Sequence, residues 1–384
     1  MTAATVTAGP ATVTDRVSAR AFVDSYLRPA ADEFDRTECV SPEFLAKASS
    51  SGLWASLVPA EFGGLGLDMM TLGAVHEEVG QGCSSVRNLL TVHNMVCWAI
   101  GRWGSPEQQQ RWLPPMAAGS VLGAFCVTEP GGGAALARVE STARRQGDDW
   151  VIDGQKKWIT GGVGAGLLLV FARADGNVLP FLVPAGTPGV QVTPITGMLG
   201  GRASMIAEIG LDSVTVPAEA LLGPERFAPG AVMTHTLDVG RYTVAAGSVG
   251  ILQGCLDACV EHANRELPGG HTLGEYQLIR AKITEMVTSL RAARLLREAA
   301  GRSKDAGSPE TIIDTWIAKL FAARAAAAAA SEAVQLLGGE GCGPGSAVAC
   351  YYRDAKIMEI IEGSSEISQL TIASHALHVQ ESSR

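Results

Sequence analysis

The spacing of apolar residues separates the chain into three regions with different local structure. In the first region, apolar residues recur every three or four positions, which is the spacing of an amphipathic helix. Ser105 followed by Pro106 is typical of a helix start, because serine caps the first turn and proline needs no acceptor there. We expect a disordered lead-in over 1–14 and a helical N-terminal domain over 15–121, with helices at 19–34, 42–51, 69–81 and 86–103.

The middle region, 122–229, carries short apolar runs that glycine and proline interrupt, with no helical spacing between them. Short strands joined by turns predict an antiparallel barrel or sandwich rather than a parallel sheet with helical crossovers. The expected strands lie at 123–128, 139–145, 150–153, 167–173, 178–183, 190–195 and 205–211.

The last region, 230–384, returns to helical spacing in long, alanine-rich stretches that are typical of a helix bundle. The expected helices lie at 234–266, 273–303, 308–337 and 357–379. The pattern as a whole predicts a mainly α protein with a central antiparallel β domain, and it leaves the reaction open.

Composition narrows the class of protein. The chain has 384 residues, of which 47% are hydrophobic, so it can bury a large core. Its formal net charge of -9 argues against a nucleic-acid binder, and no uncharged run reaches the length of a membrane span. The eight cysteines form no CxxC pair and no zinc-type spacing. We therefore expect free thiols, no metal site, and a cytoplasmic protein without nucleic-acid or membrane partners.

Two glycine-rich segments of the middle region carry candidate ligand-binding residues. In residues 125–133 a strand runs into Pro-Gly-Gly-Gly, where a backbone can approach a flat or phosphorylated ligand; a tight turn explains the same pattern. In residues 153–162, Trp158 and Thr160 alternate on one strand face. They suit stacking on and hydrogen bonding to an aromatic cofactor, and a buried core tryptophan is the alternative interpretation.

A third segment near the C-terminus contains a candidate base. Glu362 follows Ile360 and Ile361 and precedes Gly363 and two serines. An apolar setting removes water from a carboxylate and raises its pKa, which suits a general base. A solvated glutamate at a helix start is the alternative interpretation.

Together, these segments resemble the acyl-CoA dehydrogenase superfamily from about residue 19 to residue 377. The resemblance implies a helical N domain, a β-barrel or sandwich in the middle, a C-terminal four-helix bundle, and FAD-dependent oxidation of an acyl thioester. The matching motifs are residues 62–68 with Glu77-Glu78-Val79-Gly80, Thr128-Glu129-Pro130-Gly131, Lys156-x-Trp158-Ile159-Thr160, Gln335-Leu336-Leu337-Gly338-Gly339, and Arg353-Asp354-Ala355-Lys356 with Glu362-Gly363-Ser364.

The resemblance also implies roles for individual residues. Glu362 matches the catalytic base, with Asp238 as a minor alternative, and Arg241 matches an arginine near the substrate pocket, where a structural ion pair is equally possible. The positions that match contacts to the flavin or its chain are Phe125, Val127, Thr128, Trp158, Ile159, Thr160, Ser364 and Glu366. The positions that match contacts to the FAD of a neighbouring subunit, which implies a homo-oligomer (a dimer or tetramer), are Gln335, Gly338 and Gly339.

The sequence departs from the family pattern around the FAD phosphates. At Gly133 and Ala134 the phosphate loop lacks the family's hydroxyl, and the family arginine that reaches a neighbour's FAD is out of register, with Arg265 as the candidate replacement. Glu340 and Glu366 place acids where the family has amides, which is unfavourable beside an anionic cofactor. We expect weaker or altered FAD contacts rather than loss of binding.

A narrower resemblance concerns the substrate. Residues 83–87, 307–310 and 352–366 look like carrier-protein dehydrogenases that make hydroxymalonyl or methoxymalonyl units for polyketides. That resemblance implies a short polar acyl group, such as glyceryl, on an acyl carrier protein. Electrons would pass to an unidentified acceptor. For the acidic carrier, the candidate docking face is the helical row of Arg291, Arg294 and Arg297, which a solvated, salt-bridged helix face explains as well.

Three other functions remain open at this point. A conventional short-chain acyl-CoA dehydrogenase would act on CoA thioesters instead of a carrier. A flavin monooxygenase or oxidase on the same fold would consume oxygen. A non-catalytic relative would explain the altered phosphate loop, although the retained Glu362 and the Trp-Ile-Thr strand argue against it.

Overall fold

The computed structural model describes residues 10–132, 139–223 and 229–382. Most of the expected lead-in therefore lies outside the described residues. Its last part does not behave as a disordered segment, because Val13 is buried and its N–H donates to the Ser51 carbonyl at 2.9 Å. The packed N-terminal domain thus begins a few residues before position 15.

The N-terminal domain is helical, as the apolar spacing predicted. The expected helix over 19–34 is broken, because Pro29 has no N–H to donate and the chain passes through a π turn and a 3-10 turn. Ser105 accepts a hydrogen bond from the Gln108 N–H at 3.2 Å, which confirms the predicted cap. The helices are α1 (Arg16–Phe22), α2 (Ala31–Thr37), α3 (Pro42–Ser50), α4 (Met69–Gly82), α5 (Ser84–Trp103) and α6 (Pro106–Ala117).

The middle domain is one seven-stranded sheet in the order β1-β4-β2-β3-β7-β6, with β5 paired to β4. The sheet is mixed, which corrects the wholly antiparallel expectation: β1 pairs in parallel with β4. Parallel neighbours need a long connection, and here the β2–β3 hairpin lies between them in the chain. The strands are β1 (Gly123–Cys126), β2 (Thr142–Gln146), β3 (Asp149–Ile159), β4 (Leu167–Ala174), β5 (Asn177–Pro184), β6 (Val190–Pro194) and β7 (Ala207–Pro217).

The C-terminal domain is a bundle built around α7 (Pro229–Ala263), which packs on α4, α5, α8 and α9 and so joins the two helical domains. A short hairpin, β8 (Glu266–Leu267) with β9 (His271–Thr272), follows α7. The remaining helices are α8 (Gln277–Asp305), α9 (Thr311–Leu337), α10 (Gly339–Cys342), α11 (Ala347–Ile360) and α12 (Ser365–Ser382).

The expected helix over 357–379 is two helices, α11 and α12, separated by residues 361–364. Glu362 and Gly363 have φ of 55° and 101°, which an α-helix cannot contain. The turn at this break carries the candidate base.

Within the described ranges, two helices, α7 and α9, are long and apolar enough to cross a membrane by length and composition alone. The apolar window of α7 is 78% buried within the structure, as expected for a core helix, whereas that of α9 is only 39% buried. The outer face of α9 therefore keeps apolar side chains exposed, among them Ile317 and Phe321.

Candidate active site

Glu362 lies in the left-handed turn between α11 and α12. The turn brings its carboxylate against α7, where Oε2 is buried without a hydrogen-bond partner among the described residues. A Cβ atom placed on Gly240 would lie 2.8 Å from Oε2. A side chain at position 240 would therefore displace the carboxylate or Met95 from its position.

The surroundings of Glu362 shift the pKa of its carboxyl group. Burial raises the pKa of the carboxyl from 4.5 to about 6, and the cations Arg241, Lys319 and Arg87 oppose the rise. The group is therefore ionised at neutral pH and still more basic than a surface glutamate. This is the raised pKa that the apolar sequence context predicted.

Arg241 contacts the backbone of the base residue. Its Nε donates to the Glu362 carbonyl oxygen at 3.0 Å, and its guanidinium carbon lies 3.9 Å from the centroid of the Trp316 ring. Arg241 is buried, and it forms no ion pair with an acid in the described part of the chain. Of the two roles considered for Arg241, the structural ion pair is therefore absent.

The alternative base, Asp238, is already engaged. Its carboxylate forms an ion pair with Lys304, and both side chains are only 6% exposed. This ion pair ties Asp238 to Lys304 through Oδ2, although Oδ1 has no hydrogen-bond partner among the described residues, whereas Glu362 has no direct ion pair among them. The geometry therefore favours Glu362.

The two segments expected to hold the flavin lie side by side. The Lys157 N–H donates to the Thr128 carbonyl at 2.9 Å, which joins the end of β3 to the loop after β1. Beneath this contact, Lys156 donates to Glu129 at 2.7 Å, and Ser141 donates to the same carboxylate at 2.6 Å. Burial opposes ionisation of Glu129, but these hydrogen bonds lower its pKa to about 2. The pair is a structural brace.

The side chains of these two segments divide into buried and accessible ones. Trp158 is 50% exposed with a φ of 60°, and Thr128 and Thr160 are partly accessible. The remaining predicted contacts, Phe125, Val127 and Ile159, are buried in the core. Gly133 and Ala134 lie outside the described residues.

A row of side chains leads away from Glu362 between α5 and α7. Met95, Thr91 and Arg87 follow each other at four-residue spacing, which places them on one face of α5. Met95 packs at Gly240, beside the Glu362 carboxylate. The Thr91 and Thr243 hydroxyl oxygens are 3.0 Å apart. The row ends at Arg87, and we call Arg87, Thr91 and Thr243 the polar floor.

Arg87 is fully buried without an acidic partner. Its hydrogen bonds go to Thr91 Oγ1 at 3.0 Å, to the Asn88 side-chain oxygen, and to Met358 Sδ at 2.9 Å, while its Nε has none among the described residues. Burial lowers the pKa of this guanidinium to about 10. The hydrogen bonds of the charge thus go to neutral groups, while the carboxylates of Glu362 and Asp354 favour it from a distance.

Comparison with known proteins decides the family. Models of the acyl-CoA dehydrogenase N-terminal, middle and C-terminal domains match residues 14–120, 124–214 and 230–377. The chain belongs to the acyl-CoA dehydrogenase family. The rat (Rattus norvegicus) mitochondrial short-chain specific acyl-CoA dehydrogenase is 37% identical over 371 residues, which cover 94% of this chain and 89% of the relative.

Two solved structures are similar over nearly the whole chain. FkbI, from the biosynthesis of the methoxymalonyl extender unit of the polyketide Fk520, has a TM-score of 0.87 and 36% identity, covering 94% of this chain and 99% of FkbI. A glutaryl-CoA dehydrogenase from Mycobacterium smegmatis, in complex with FADH2, has a TM-score of 0.89 and 30% identity, covering 94% and 93%. The chain is therefore an FAD-dependent acyl-CoA dehydrogenase-type oxidoreductase, as the motifs predicted.

The described residues of this dehydrogenase fit a bound flavin. Trp158 is half exposed at a strand end, with Lys157 Nζ 5.3 Å from its ring centroid, and an exposed aromatic ring can stack on a flavin. The partly accessible Thr128 and Thr160 offer hydroxyl groups next to it. The turn that carries Glu362, residues 361–364, is called the base turn. Ser364 ends it, and its side chain accepts a hydrogen bond from the Ile367 N–H at 3.4 Å. Glu366 lies just after the base turn and is exposed.

The residues expected to reach a neighbour's FAD form a separate, exposed group. Gln335 lies 16 positions after Lys319, about 24 Å along α9. Gly338 and Gly339 follow it and are exposed as well. The structure does not bring this group to Glu362, which is compatible with a role towards another subunit.

Arg265 lies in that exposed group and contacts Glu340, the acid whose charge is unfavourable beside an anionic cofactor. It donates to Glu340 at 2.7 Å and to Glu261 at 3.1 Å, and the ring of His262 lies 3.5 Å from Glu340. Arg265 therefore offsets the negative charge of Glu340, an arrangement that the sequence did not predict.

Sequence reasoning missed the roles of Gly240 and Lys319 at the site, and it quoted Arg87 only as part of a motif. Lys319 stands in a long apolar stretch of α9 and is fully buried. A lysine at a core position of an apolar helix is a signal that could have drawn attention to it. The sequence does not show which acid or carbonyl Lys319 contacts, because the contacting residues lie on distant segments of the chain.

Proposed function

We propose that this dehydrogenase oxidises a short, polar acyl group, such as glyceryl, that an acyl carrier protein holds as a thioester. The observation that carries the polar part of the proposal is the polar floor beside Glu362. The similarity to FkbI supports the carrier protein and a place in the assembly of polyketide extender units. Glu362 is the base.

The polar floor favours a hydroxylated or charged acyl group over an alkyl chain. A buried polar group that lacks a hydrogen-bond partner costs about 1–3 kcal/mol. The Thr243 hydroxyl donates to the Gly240 carbonyl at 2.8 Å and pairs with the Thr91 hydroxyl. The capacity that remains in the polar floor is the Arg87 Nε–H, which has no partner among the described residues, and the spare acceptor lone pairs of the threonines, and a methyl group can use neither. A substrate hydroxyl would use this capacity.

The geometry around Glu362 suits removal of a proton from such a substrate. Its carboxylate, whose Oε2 has no hydrogen-bond partner in the described part of the chain, takes the proton from the α-carbon or, in a glyceryl thioester, from the C3 hydroxyl. No backbone hydrogen bond among the described residues uses the Glu362 N–H, so it is free to bind the thioester carbonyl. FAD, when bound, accepts the hydride that leaves the substrate.

The predicted carrier-docking row on α8 is not a free basic face. Arg294 donates to Glu77 at 2.6 Å, and the buried Arg297 donates to the same carboxylate at 3.1 Å. Only Arg291 of the three remains exposed without such a pair among the described contacts. These arginines connect α8 to α4, so the carrier must dock elsewhere.

We further propose that the chain forms a homo-oligomer through the outer face of the bundle. An open apolar groove there is lined by residues of α8, α9 and α12, including Leu296, Ile317, Phe321 and Ile372. Exposed apolar patches of this kind mark association sites.

The cytoplasmic location is a proposal supported by eight cysteines that are all free thiols.

An anaerobic absorbance titration of the flavin tests the substrate proposal. Glyceryl-carrier protein, glyceryl-CoA and butyryl-CoA are added separately, which separates the effect of the acyl group from that of the carrier. We expect glyceryl-carrier protein to bleach the flavin most efficiently. Bleaching by butyryl-CoA alone would instead establish a short-chain acyl-CoA dehydrogenase, the alternative that the rat relative favours.

A further inference from the structure

We propose that Lys319 is a positioning residue for Glu362, which holds the base turn in its left-handed conformation and keeps the carboxylate ionised. This inference rests on the assignment of Glu362 as the base in the proposed function. It does not depend on which acyl thioester is the substrate.

Two cations bind consecutive carbonyl groups of the base turn. Lys319 Nζ, on α9, donates to the Gly363 carbonyl at 2.7 Å and to the Glu359 carbonyl at 3.4 Å. Arg241, on α7, donates to the Glu362 carbonyl at 3.0 Å. The turn is thus fixed from two different helices.

A tryptophan completes the enclosure. Trp316 lies one helical turn before Lys319 on α9, and a Cβ atom on Gly363 would be 2.7 Å from its ring. The same ring lies against the guanidinium of Arg241. Gly363 therefore has no room for a side chain.

The turn needs this support. Glu362 has a φ of 55°, and a residue with a side chain persists in that region only when its surroundings hold it there. Without Lys319, the Gly363 carbonyl would lose its 2.7 Å donor in a buried site. We expect the turn to sample other conformations, in which the carboxylate leaves its position beside Gly240.

Lys319 also acts on Glu362 through its charge. It is fully buried, and its hydrogen bonds in the described structure go to backbone carbonyls rather than to a carboxylate. Burial lowers its pKa to about 8, so it stays mainly protonated at neutral pH. The other charged groups that face this cluster are Arg241 on α7, Arg87 on α5, Glu359 on α11 and Glu366 on α12. Removing the ammonium takes away one of the cations that favour the Glu362 anion.

Three substitutions separate the hydrogen bond from the charge. Lys319→Gln keeps a donor without charge, Lys319→Met removes both, and Lys319→Arg keeps both. The rate of flavin reduction by one acyl thioester is measured by anaerobic stopped flow across pH, together with FAD content and melting temperature. Lys282→Met is the matched control, because Lys282 pairs with Glu332, about 20 Å along α9 from Lys319.

We expect Lys319→Gln and Lys319→Met to move the acid limb of the profile to higher pH by roughly one unit. At high pH, where Glu362 is ionised in every variant, Lys319→Met should still be about 10-fold or more slower, with Lys319→Gln between it and the wild type. Lys319→Arg should keep the acid limb at the wild-type pH. Lys282→Met should change neither the position of the acid limb nor the rate at high pH.

A flavin-loaded Lys319→Gln variant with an unchanged acid limb would overturn the charge effect, and an unchanged limiting rate in Lys319→Met would overturn the positioning effect. If Lys319→Met does not fold, the comparison of Lys319→Gln with Lys319→Arg still decides. Full activity in Glu362→Gln would remove the base assignment itself, which is a different outcome from insensitivity to Lys319.

Discussion

Two buried carboxylates in this dehydrogenase are placed in opposite ways. Glu129, in the β domain, accepts hydrogen bonds from Lys156, Ser141 and two backbone N–H groups, and its pKa falls to about 2. Glu362, between the helices of the bundle, has an unpartnered Oε2, and its pKa rises to about 6.

The difference lies in where the neighbouring lysine directs its hydrogen bonds. Lys156 donates directly to the carboxylate of Glu129, whereas Lys319 donates to backbone carbonyls beside Glu362 and leaves the carboxylate free. A cation that binds an acid produces a structural brace, whereas a cation that binds the backbone around an acid leaves a usable base. Arg87 belongs to neither class, because its hydrogen bonds go to the side chains of Thr91, Asn88 and Met358.

The largest expected effect is the loss of the free carboxylate. Glu362→Gln should keep FAD and lower the rate of flavin reduction by about 10³-fold, because general-base catalysis contributes roughly 10²- to 10⁴-fold. Anaerobic stopped flow at pH 8 measures the rate. Glu285→Gln, at an exposed position of α8, is the control and should stay near the wild-type rate. Equal rates in the two variants would contradict the assignment.

Breaking the ion pair between Glu129 and Lys156 should mainly lower the free energy of unfolding. Glu129→Gln leaves Lys156 buried without its counter-ion, so we expect a loss of about 3–5 kcal/mol in the free energy of unfolding, with weaker FAD retention. Denaturant titration of the FAD-loaded protein measures it. Glu208→Gln removes the partly exposed pair with Lys157 and should cost less than about 1 kcal/mol. Similar losses in both variants would mean that burial does not distinguish these pairs.

Removing the unpaired guanidinium of Arg87 should raise the stability of the protein, whereas breaking the Glu129–Lys156 ion pair should lower it. Arg87→Met is expected to raise the melting temperature, because a buried charge without an acidic partner is removed. It should also lower the efficiency of flavin reduction by a glyceryl thioester about 10- to 100-fold while sparing a butyryl thioester. Arg291→Met, at an exposed position of α8, serves as the control. An unchanged ratio of the two efficiencies would argue against the polar floor as the acyl-group site.

The smallest effects are those of pH on the intact protein. Because the pKa of Glu129 lies below its ordinary 4.5, the stability it contributes is complete above pH 4.5 and is lost as pH falls towards 2. Because the pKa of Glu362 is raised to about 6, its ionisation opposes folding above pH 6, and protonation relieves this between pH 6 and 4.5. Flavin reduction should fall as pH drops through about 6. Melting curves of wild type and Glu362→Gln across pH 4.5 to 7 should converge at the acid end.

Local sequence signals predicted much of the framework. The apolar spacing located the helical domains and the β domain, and Ser105 marked the start of α6. The Gly-Ser-Ser sequence after Glu362 is a local signal of a break, whereas the periodic pattern on both sides predicted one continuous helix. Periodicity cannot show a turn that is held by Arg241 and Lys319, because those contacts cross from other helices.

The sequence by itself determined the local choices: where helices begin, where strands alternate, and which acid follows an apolar pair, because each depends on neighbours a few positions apart. Only the tertiary structure decided the protonation of that acid and the position of the polar floor beside it. Arg87 contacts Met358 across 271 positions, and Gly240 makes room for Glu362 across more than a hundred. Burial and charge act through space, so a pKa and a binding site exist only after distant helices have packed together.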